Sequence, residues 1–323
     1  MEPQNLATPY LSQPPSQSRK KLGVQPSHSP PTMAQTMTLT MTEPPESRVH
    51  VDLPYLARSP LFQTEKPYAT VFDVSGNPAA TATNHVIELN EHDVVNARHL
   101  PEGTFSLEAN GFEFLRRPNC LDASTAYDQD LVNTRFRQEM KDVLRSRFPQ
   151  YTSIIYLDHT VRKRSPMFPS KPGTPVTSPQ PAALPHFDFT TRGSFIRMSQ
   201  LYPGEPEVYQ DREFDLINIW KVLAGPNNDW PLAVCDYQSV DFANDHVAND
   251  VINERTVGEN GLMHYNSRHR WYYLADQEVD DLIVFRNSNS LGRRSIAFHA
   301  AFDPKKVDGP PRQSIEIRFA GFY

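Results

Sequence analysis

The sequence has few cysteines, few glycines and no long hydrophobic run. Only two of its 323 residues are cysteines, Cys120 and Cys235, so one disulfide is the most it can form. This excludes a disulfide-stapled scaffold and a cysteine-rich zinc domain, and it favours a reducing compartment. The 13 glycines include no glycine-rich phosphate loop and no Gly-x-Ser-x-Gly motif, which argues against nucleotide binding through such a loop and against a serine hydrolase.

Membrane and nucleic-acid partners are also disfavoured. The apolar runs are a handful of residues long, far short of the ~18 to 20 needed for a helix to span a bilayer, so we predict no membrane span. Lys and Arg number 32 against 38 Asp and Glu, a net charge of −6, and no basic face is expected to attract phosphates. The first 21 residues lack the hydrophobic core of a secretory signal, and we therefore expect a cytosolic protein.

Proline is abundant, and its 30 copies fall largely in two clusters. Residues 1–46 mix prolines with Ser, Thr and Gln, a composition that buries too little apolar surface to fold, so we predict a disordered tail. A second cluster, 166–185, lies between two segments with folded patterns and is predicted to be a loop bordering a site. Residues 47–323 are expected to form a single domain.

The remaining pattern predicts a mainly β protein with an α/β N-terminal part. Residues 104–117 are interpreted as a hairpin around Asn110-Gly111. Residues 131–148 place Val132, Phe136, Met140, Val143 and Leu144 on one helical face, and a strand is predicted over 153–163. After residue 185 the pattern changes to short strands separated by turns, with almost no helical periodicity. A β-sandwich or barrel is the architecture implied.

His186-Phe187-Asp188 is the first motif with possible metal chemistry. Residues two apart on a strand share a face, so His186 and Asp188 can reach one ion. The triplet is weak by itself, because His50-Val51-Asp52 also matches. A facial triad for non-haem iron needs a third ligand, usually a distant histidine, and His299 in an apolar strand supplies it. A histidine there can equally be a packing residue.

Arg312-Gln313-Ser314 is a candidate anchor for a dicarboxylate. A guanidinium binds a carboxylate through two parallel hydrogen bonds, and a nearby hydroxyl adds a third. Four other Arg-x-Ser pairs occur, and position favours this one: it leads into a strand whose Ile315, Ile317 and Phe319 point to the face opposite Arg312 and Ser314. The other four pairs begin at Arg192, Arg197, Arg286 and Arg293.

With these residues in place, the chain resembles the fungal and bacterial iron(II)- and 2-oxoglutarate-dependent hydroxylase/desaturases of the AsaB, gibberellin-desaturase and CmcJ type. The similarity covers roughly residues 95 to 323. The order and spacing of seven blocks carry it: FSLEANGFEFL, YLDHTVRK, PHFDFTTRGSFIRM, INIWKVLAGPNNDWPLAVCD, HRWYYLADQEVDDLIVFR, FHAAF and PRQSIEIRF.

The resemblance implies a double-stranded β-helix (jelly-roll) core and an oxygenase that uses Fe(II), 2-oxoglutarate and O2. By it, His186, Asp188 and His299 correspond to the iron ligands, and Arg312 and Ser314 to the 2-oxoglutarate anchor. The implied reaction is hydroxylation or desaturation of a small secondary-metabolite intermediate. Which of the two occurs, which substrate is used and which oligomer forms are not indicated.

Two positions depart from the family pattern. Trp220 is followed by Lys221 and Val222 where Arg-Pro is usual, and Asp188 is followed by Phe189 where a polar residue, often Gln, is common. Neither position is an expected iron ligand, but both are expected near the substrate, so the resemblance does not identify the substrate. Three alternatives stay open: an iron-dependent oxidase that does not use 2-oxoglutarate, a metal-dependent hydrolase, and a non-enzymatic β-barrel binding protein.

Overall fold

The computed structural model describes residues 47–74, 76–169, 178–305 and 309–323. The predicted tail, 1–46, and the middle of the proline-rich segment, 170–177, lie outside these residues. From Ser47 onward the described residues belong to one compact unit. Both the tail boundary at residue 46 and the loop assignment for 166–185 stay predictions.

The described residues form two sheets. The strands are β1 (Arg48–Leu56), β2 (Tyr68–Thr70), β3 (Ile87–Asn96), β4 (Phe112–Arg116), β5 (Ser153–Lys163), β6 (His186–Phe187), β7 (Phe214–Val222), β8 (Leu232–Cys235), β9 (His246–Ile252), β10 (Val257–Met263), β11 (Trp271–Tyr273), β12 (Asp281–Asn289), β13 (His299–Ala301) and β14 (Gln313–Phe322). The larger sheet has the order β1-β3-β11-β8-β13-β6-β10-β9-β2 and the smaller β4-β12-β7-β14-β5.

The helices are few. They are α1 (Gln129–Leu131), a π-helical turn (Val132–Phe136), α2 (Arg137–Arg147) and α3 (Thr191–Leu201), with 3-10 turns at Pro60–Gln63, Ala97–His99, Pro206–Val208 and Tyr237–Ser239. Among the described residues, no helix is both long and apolar enough to cross a membrane.

The smaller sheet is buried on both faces. One face packs against the helix predicted over 131–148, whose Phe136 and Met140 meet Ile315 and Ile317 of β14 in one apolar cluster. The other face meets the larger sheet through a second cluster that includes Trp220. Each side chain buried in this way stabilises the fold by roughly 1.5 to 3 kcal/mol. This packing confirms the predicted helix face and the predicted alternation of β14.

Two local predictions are wrong. Residues 104–110 form turns rather than the first strand of a hairpin, and β4 pairs instead with β12. Gly111 has a φ of +85°, and a Cβ there would lie 2.4 Å from the backbone carbon of Ile296, so the glycine serves a close approach rather than a hairpin turn. The β-rich half also contains a helix, α3, whose first turn is capped when the side chain of Thr190 accepts a hydrogen bond from the amide of Gly193.

Lys221 is fully buried on the helix-facing side of β7. Its ammonium donates to the side chain of Asn119, at 2.5 Å, and to the carbonyl of Leu121, and it lies 5.8 Å from the ring centre of Phe136. Burial lowers the pKa of Lys221 from its usual 10.5 to about 8. The side chain of Lys221 therefore points away from Trp220's face of the strand, and the expectation that it lies near the substrate is not met.

This buried amine predicts a pH-dependent stability. Between pH 8 and 10.5 the unfolded chain still holds the proton that folded Lys221 has released, so the free energy of unfolding rises with pH over this window. Denaturant titrations at several pH values should show that rise in the wild type relative to Lys221→Met. The prediction concerns the slope of the unfolding free energy with pH, so a constant difference in that free energy between the two proteins does not affect it. Parallel curves for the wild type and Lys221→Met, with the exposed-site variant Lys163→Met as control, would contradict the prediction.

Candidate metal centre

Two histidines face each other across neighbouring strands. β6 and β13 are antiparallel, and His186 pairs directly with His299 in register. Directly opposed residues on paired strands hold their side chains side by side on one face of the sheet. The two ring centres are 4.4 Å apart. Strand register thus brings together residues that are far apart in the sequence.

Asp188 completes the group from just beyond the end of β6. Its Oδ1 lies 3.4 Å from Nε2 of His186 and 3.6 Å from Nε2 of His299. The candidate ligand atoms of the three residues all lie within 4.8 Å of one another. Phe187, between them in sequence, packs on the opposite face, against Phe298 at a ring-centre distance of 4.9 Å.

Backbone carbonyls orient both imidazoles. Nδ1 of His186 lies 2.8 Å from the carbonyl oxygen of Leu184, and Nδ1 of His299 lies 3.3 Å from that of Ala297. A carbonyl only accepts, so each Nδ1 carries the proton and donates, and each Nε2 keeps its lone pair. Two lone pairs and a carboxylate oxygen then converge on one point, an arrangement that a shared cation stabilises.

The second carboxylate oxygen of Asp188 is fully engaged elsewhere. Its Oδ2 accepts hydrogen bonds from Nδ2 of Asn218 at 3.0 Å, from Nδ2 of Asn287 at 3.2 Å and from Nε of Arg318 at 2.9 Å. These three donors come from β7, β12 and β14, so three adjacent strands of the smaller sheet fix one carboxylate oxygen. The other oxygen, Oδ1, stays directed at the two histidines.

The same contacts keep Asp188 ionised. Burial by itself would raise its pKa, but the positive charge of Arg318 holds that pKa well below its usual value. Arg318 in turn donates to Asp158 at 2.8 Å and forms an ion pair with Glu316. A buried carboxylate with one free oxygen is the donor set that a divalent cation prefers alongside imidazole.

Arg312 lies beside the triad, and Ser314 follows it two residues along the chain. Arg312 lines the same small cavity as His186, Asp188 and His299. The guanidinium donates to the carbonyl of Trp230 and lies 5.4 Å from the ring centre of Trp220, yet its Nε has no hydrogen-bond partner among the described residues. The hydroxyl of Ser314 is likewise buried and unpartnered there.

The other matches to the two sequence motifs lie outside this group. His50, of the second His-x-Asp triplet, is more than half exposed and pairs with Asp93 at 3.0 Å. Of the other Arg-x-Ser arginines, three hold carboxylates and one is exposed: Arg192 pairs with Glu259, Arg197 with Asp158 and Arg286 with Asp215, while Arg293 is exposed.

Sequence reasoning missed Asn218, Asn287 and Arg318. One signal existed for Arg318, which continues the alternate positions that begin at Arg312. Inward-facing polar residues on buried strands need partners, which is why this face carries a network rather than isolated side chains.

Residues 53–322 match the family described as the Oxidoreductase/YMDC permease-like domain. The chain belongs to this family.

Individual relatives are fungal proteins. The hydroxylase/desaturase efuI of Hormonema carpetanum is 24% identical over 249 residues, which cover 71% of this chain and 83% of that protein. Aspirochlorine biosynthesis protein N of Aspergillus oryzae is 32% identical over 136 residues, 41% of this chain and 57% of that protein. The Fe(II)/2-oxoglutarate-dependent dioxygenase nvfI of Aspergillus novofumigatus is 33% identical over 147 residues, 43% and 51%. The latter two matches span little more than half of each relative. The resemblance to iron(II)- and 2-oxoglutarate-dependent hydroxylase/desaturases is confirmed.

A solved structure shares the fold. The iron and alpha-ketoglutarate-dependent endoperoxidase NvfI superimposes with a TM-score of 0.72 at 21% identity, covering 86% of this chain and 98% of that chain. The predicted fold class, mainly β with a jelly-roll core, is therefore confirmed.

We predict that His186→Ala removes binding of a divalent metal. The imidazole of His186 is one of the three candidate ligands, and alanine has no group that can bind a metal. Metal content after loading with Fe(II) or Mn(II) under anaerobic conditions measures this, with circular dichroism to verify folding. His50→Ala is the matched control, since it breaks the same triplet on an exposed strand. Loss of metal in His50→Ala but not in His186→Ala would show that the site is misassigned.

A second prediction concerns Arg318. Arg318→Met removes the charge and one of three hydrogen bonds on Asp188, and outer partners of metal ligands are typically worth about 10- to 100-fold in metal affinity. We expect Arg318→Lys, which keeps the charge, to lose less metal affinity than Arg318→Met. Arg197→Gln is the control, because Arg197 binds Asp158 but not Asp188. Equal Mn(II) dissociation constants for the wild type and Arg318→Met, measured by titration, would contradict this role.

Proposed function

We propose that this protein is a non-haem iron(II), 2-oxoglutarate-dependent oxygenase that hydroxylates or desaturates a small secondary-metabolite intermediate. One observation carries the proposal: three converging ligand atoms and an unsatisfied cationic anchor line the same cavity. A metal site alone suits many reactions. A metal site beside a buried arginine with an unpaired N–H suits a reaction that needs both a metal and an anionic co-substrate.

In this proposal His186, Asp188 and His299 hold the iron, and Arg312 with Ser314 holds the distal carboxylate of 2-oxoglutarate. The unpartnered Nε of Arg312 and hydroxyl of Ser314 fit such a carboxylate, because an anion would supply the acceptors that both groups lack. When bound, the metal and oxo acid would supply O2 activation and hydrogen removal from a C–H bond, with succinate and carbon dioxide as co-products.

The chain's own residues shape the cavity for that chemistry. Trp220, Leu232 and Ala301 add apolar walls beside the ligands. Such walls limit water near the ligands and strengthen the attraction between the anion and Arg312. These side chains bind, orient and exclude water, and none of them needs to transfer a proton.

We assign the substrate to a cleft that shares Asp188 with the metal cavity. Phe189 and Val251 give this cleft an apolar part, while Arg197 and Asp158, paired at 2.6 Å, give it a polar wall. Phe189 is the residue at which the sequence departs from the family pattern. Its position supports a substrate preference of this chain's own, for a small molecule with apolar surface.

A cytosolic location remains part of the proposal. Cys120 and Cys235 are both free thiols, and burial raises the pKa of the Cys235 thiol, so it is unreactive. This agrees with a reducing compartment.

The test of the function is succinate formation. The purified protein is incubated with Fe(II), 2-oxoglutarate and O2 against a panel of secondary-metabolite intermediates, with His186→Ala as the blank. Substrate-dependent succinate in the wild type supports the proposal. Iron-dependent O2 consumption without 2-oxoglutarate would instead identify an oxidase, and metal-dependent turnover without O2 a hydrolase.

We predict that Arg312→Ala raises the KM for 2-oxoglutarate about tenfold or more. A charge-assisted hydrogen bond is worth roughly 1.5 to 3 kcal/mol, and Arg312→Lys should fall between, since it keeps the charge but loses the fork. Arg293→Ala is the matched control, an exposed Arg-x-Ser pair away from the cavity. An unchanged KM in Arg312→Ala, with metal content intact, would show that the anchor is misplaced.

A further inference from the structure

A second arginine faces the same cavity from the neighbouring strand. β5 and β14 are antiparallel, and Arg162 pairs in register with Ser314. Alternation along β5 turns Val161 toward the helix-side cluster and Arg162 to the opposite face. Arg162 lines the cavity together with Arg312 and the three candidate ligands.

The charge on Arg162 is not matched by a carboxylate among the described residues. Its Nη1 donates to the carbonyl of Gln180 at 2.7 Å, a neutral acceptor. Of the nearby carboxylates, Glu316 pairs with Arg318, and Oδ2 of Asp229 accepts from Arg164 at 2.5 Å and from the amide of Arg312 at 2.6 Å. The other oxygen of Asp229, Oδ1, has no hydrogen-bond partner among the described residues and forms no ion pair with Arg162.

The charge of Arg162 acts on Arg312. The pKa of Arg312 is lowered to about 9, first by burial and next by the nearby charge of Arg162. Two guanidinium groups placed together in a small cavity repel each other unless an anion lies between them. The Nε of Arg312 and the hydroxyl of Ser314 are both buried and have no hydrogen-bond partner among the described residues, so both donors are available to such an anion.

We propose that Arg162 is a second binding residue for the distal carboxylate of the co-substrate, acting from β5 while Arg312 acts from the position just before β14. This inference rests on the proposed function. The consequence is specificity for the co-substrate. Two cations increase the binding affinity for an oxo acid with a distal carboxylate, whereas neither cation increases the affinity for an oxo acid that ends in a methyl group. Arg162 therefore selects a dicarboxylate over a monocarboxylate.

The test measures binding without turnover. Protein loaded with Mn(II) is titrated calorimetrically with 2-oxoglutarate and, separately, with 2-oxopentanoate, in which a methyl group replaces the distal carboxylate. Arg162→Gln should weaken 2-oxoglutarate about tenfold and leave 2-oxopentanoate unchanged. Lys163→Gln is the matched control: it removes the same charge one residue away, at an exposed position on the other face, and should change neither affinity by more than about twofold.

Folding and charge are controlled separately. Mn(II) affinity and the thermal midpoint should be unchanged in Arg162→Gln, and Arg162→Lys, which keeps the charge, should recover part of the 2-oxoglutarate affinity. Equal 2-oxoglutarate affinity in Arg162→Gln and Lys163→Gln overturns the inference, and so does an equal loss for both oxo acids. If the wild type itself fails to bind 2-oxoglutarate, the proposed function fails first and this inference with it.

Discussion

The two oxygens of Asp188 make different contacts, and the geometry of the site depends on this difference. One oxygen is held by three donors from three strands of the smaller sheet, and the other is directed at two histidines of the larger sheet. A carboxylate buried between two sheets must be paired, or its burial costs several kcal/mol. The hydrogen bonds to Oδ2 therefore stabilise the buried carboxylate and also orient Oδ1 toward the two histidines. They connect the two sheets at this point.

The smaller sheet can supply these donors because both of its faces are covered. Its helix side is mostly apolar, with Lys221 as a buried exception, and the polar residues that hold Asp188 lie at alternate positions on the face toward the larger sheet. Arg312, just before β14, and Ser314, Glu316 and Arg318 on β14 occupy such positions, and they run from Arg312, whose Nε has no partner among the described residues, to Arg318, which pairs with Asp188. The hydrogen-bonded Arg318 fixes the orientation of Asp188. The unpartnered donors of Arg312 and Ser314 remain available to a ligand.

Local sequence patterns predict which residues share a strand face, but not which strands pair. The spacing of His186 and Asp188, the apolar strand around His299 and the alternation after Arg312 depend on strand periodicity, which is local. The partners of Asp188 depend on the register between distant strands, which no local pattern specifies. The wrong hairpin at Asn110-Gly111 has the same origin: a turn signal was present, but tertiary pairing of β4 with β12 decided the structure.

The most direct test of this account is the position of the metal. Crystals grown anaerobically with Fe(II) and examined by anomalous scattering at the iron edge should show one peak about 2 Å from Nε2 of His186, Nε2 of His299 and Oδ1 of Asp188. The Oδ2 of Asp188 should keep its contacts with Asn218, Asn287 and Arg318. A peak at His50, or an ion bound by both oxygens of Asp188 with Arg318 displaced, would contradict the account.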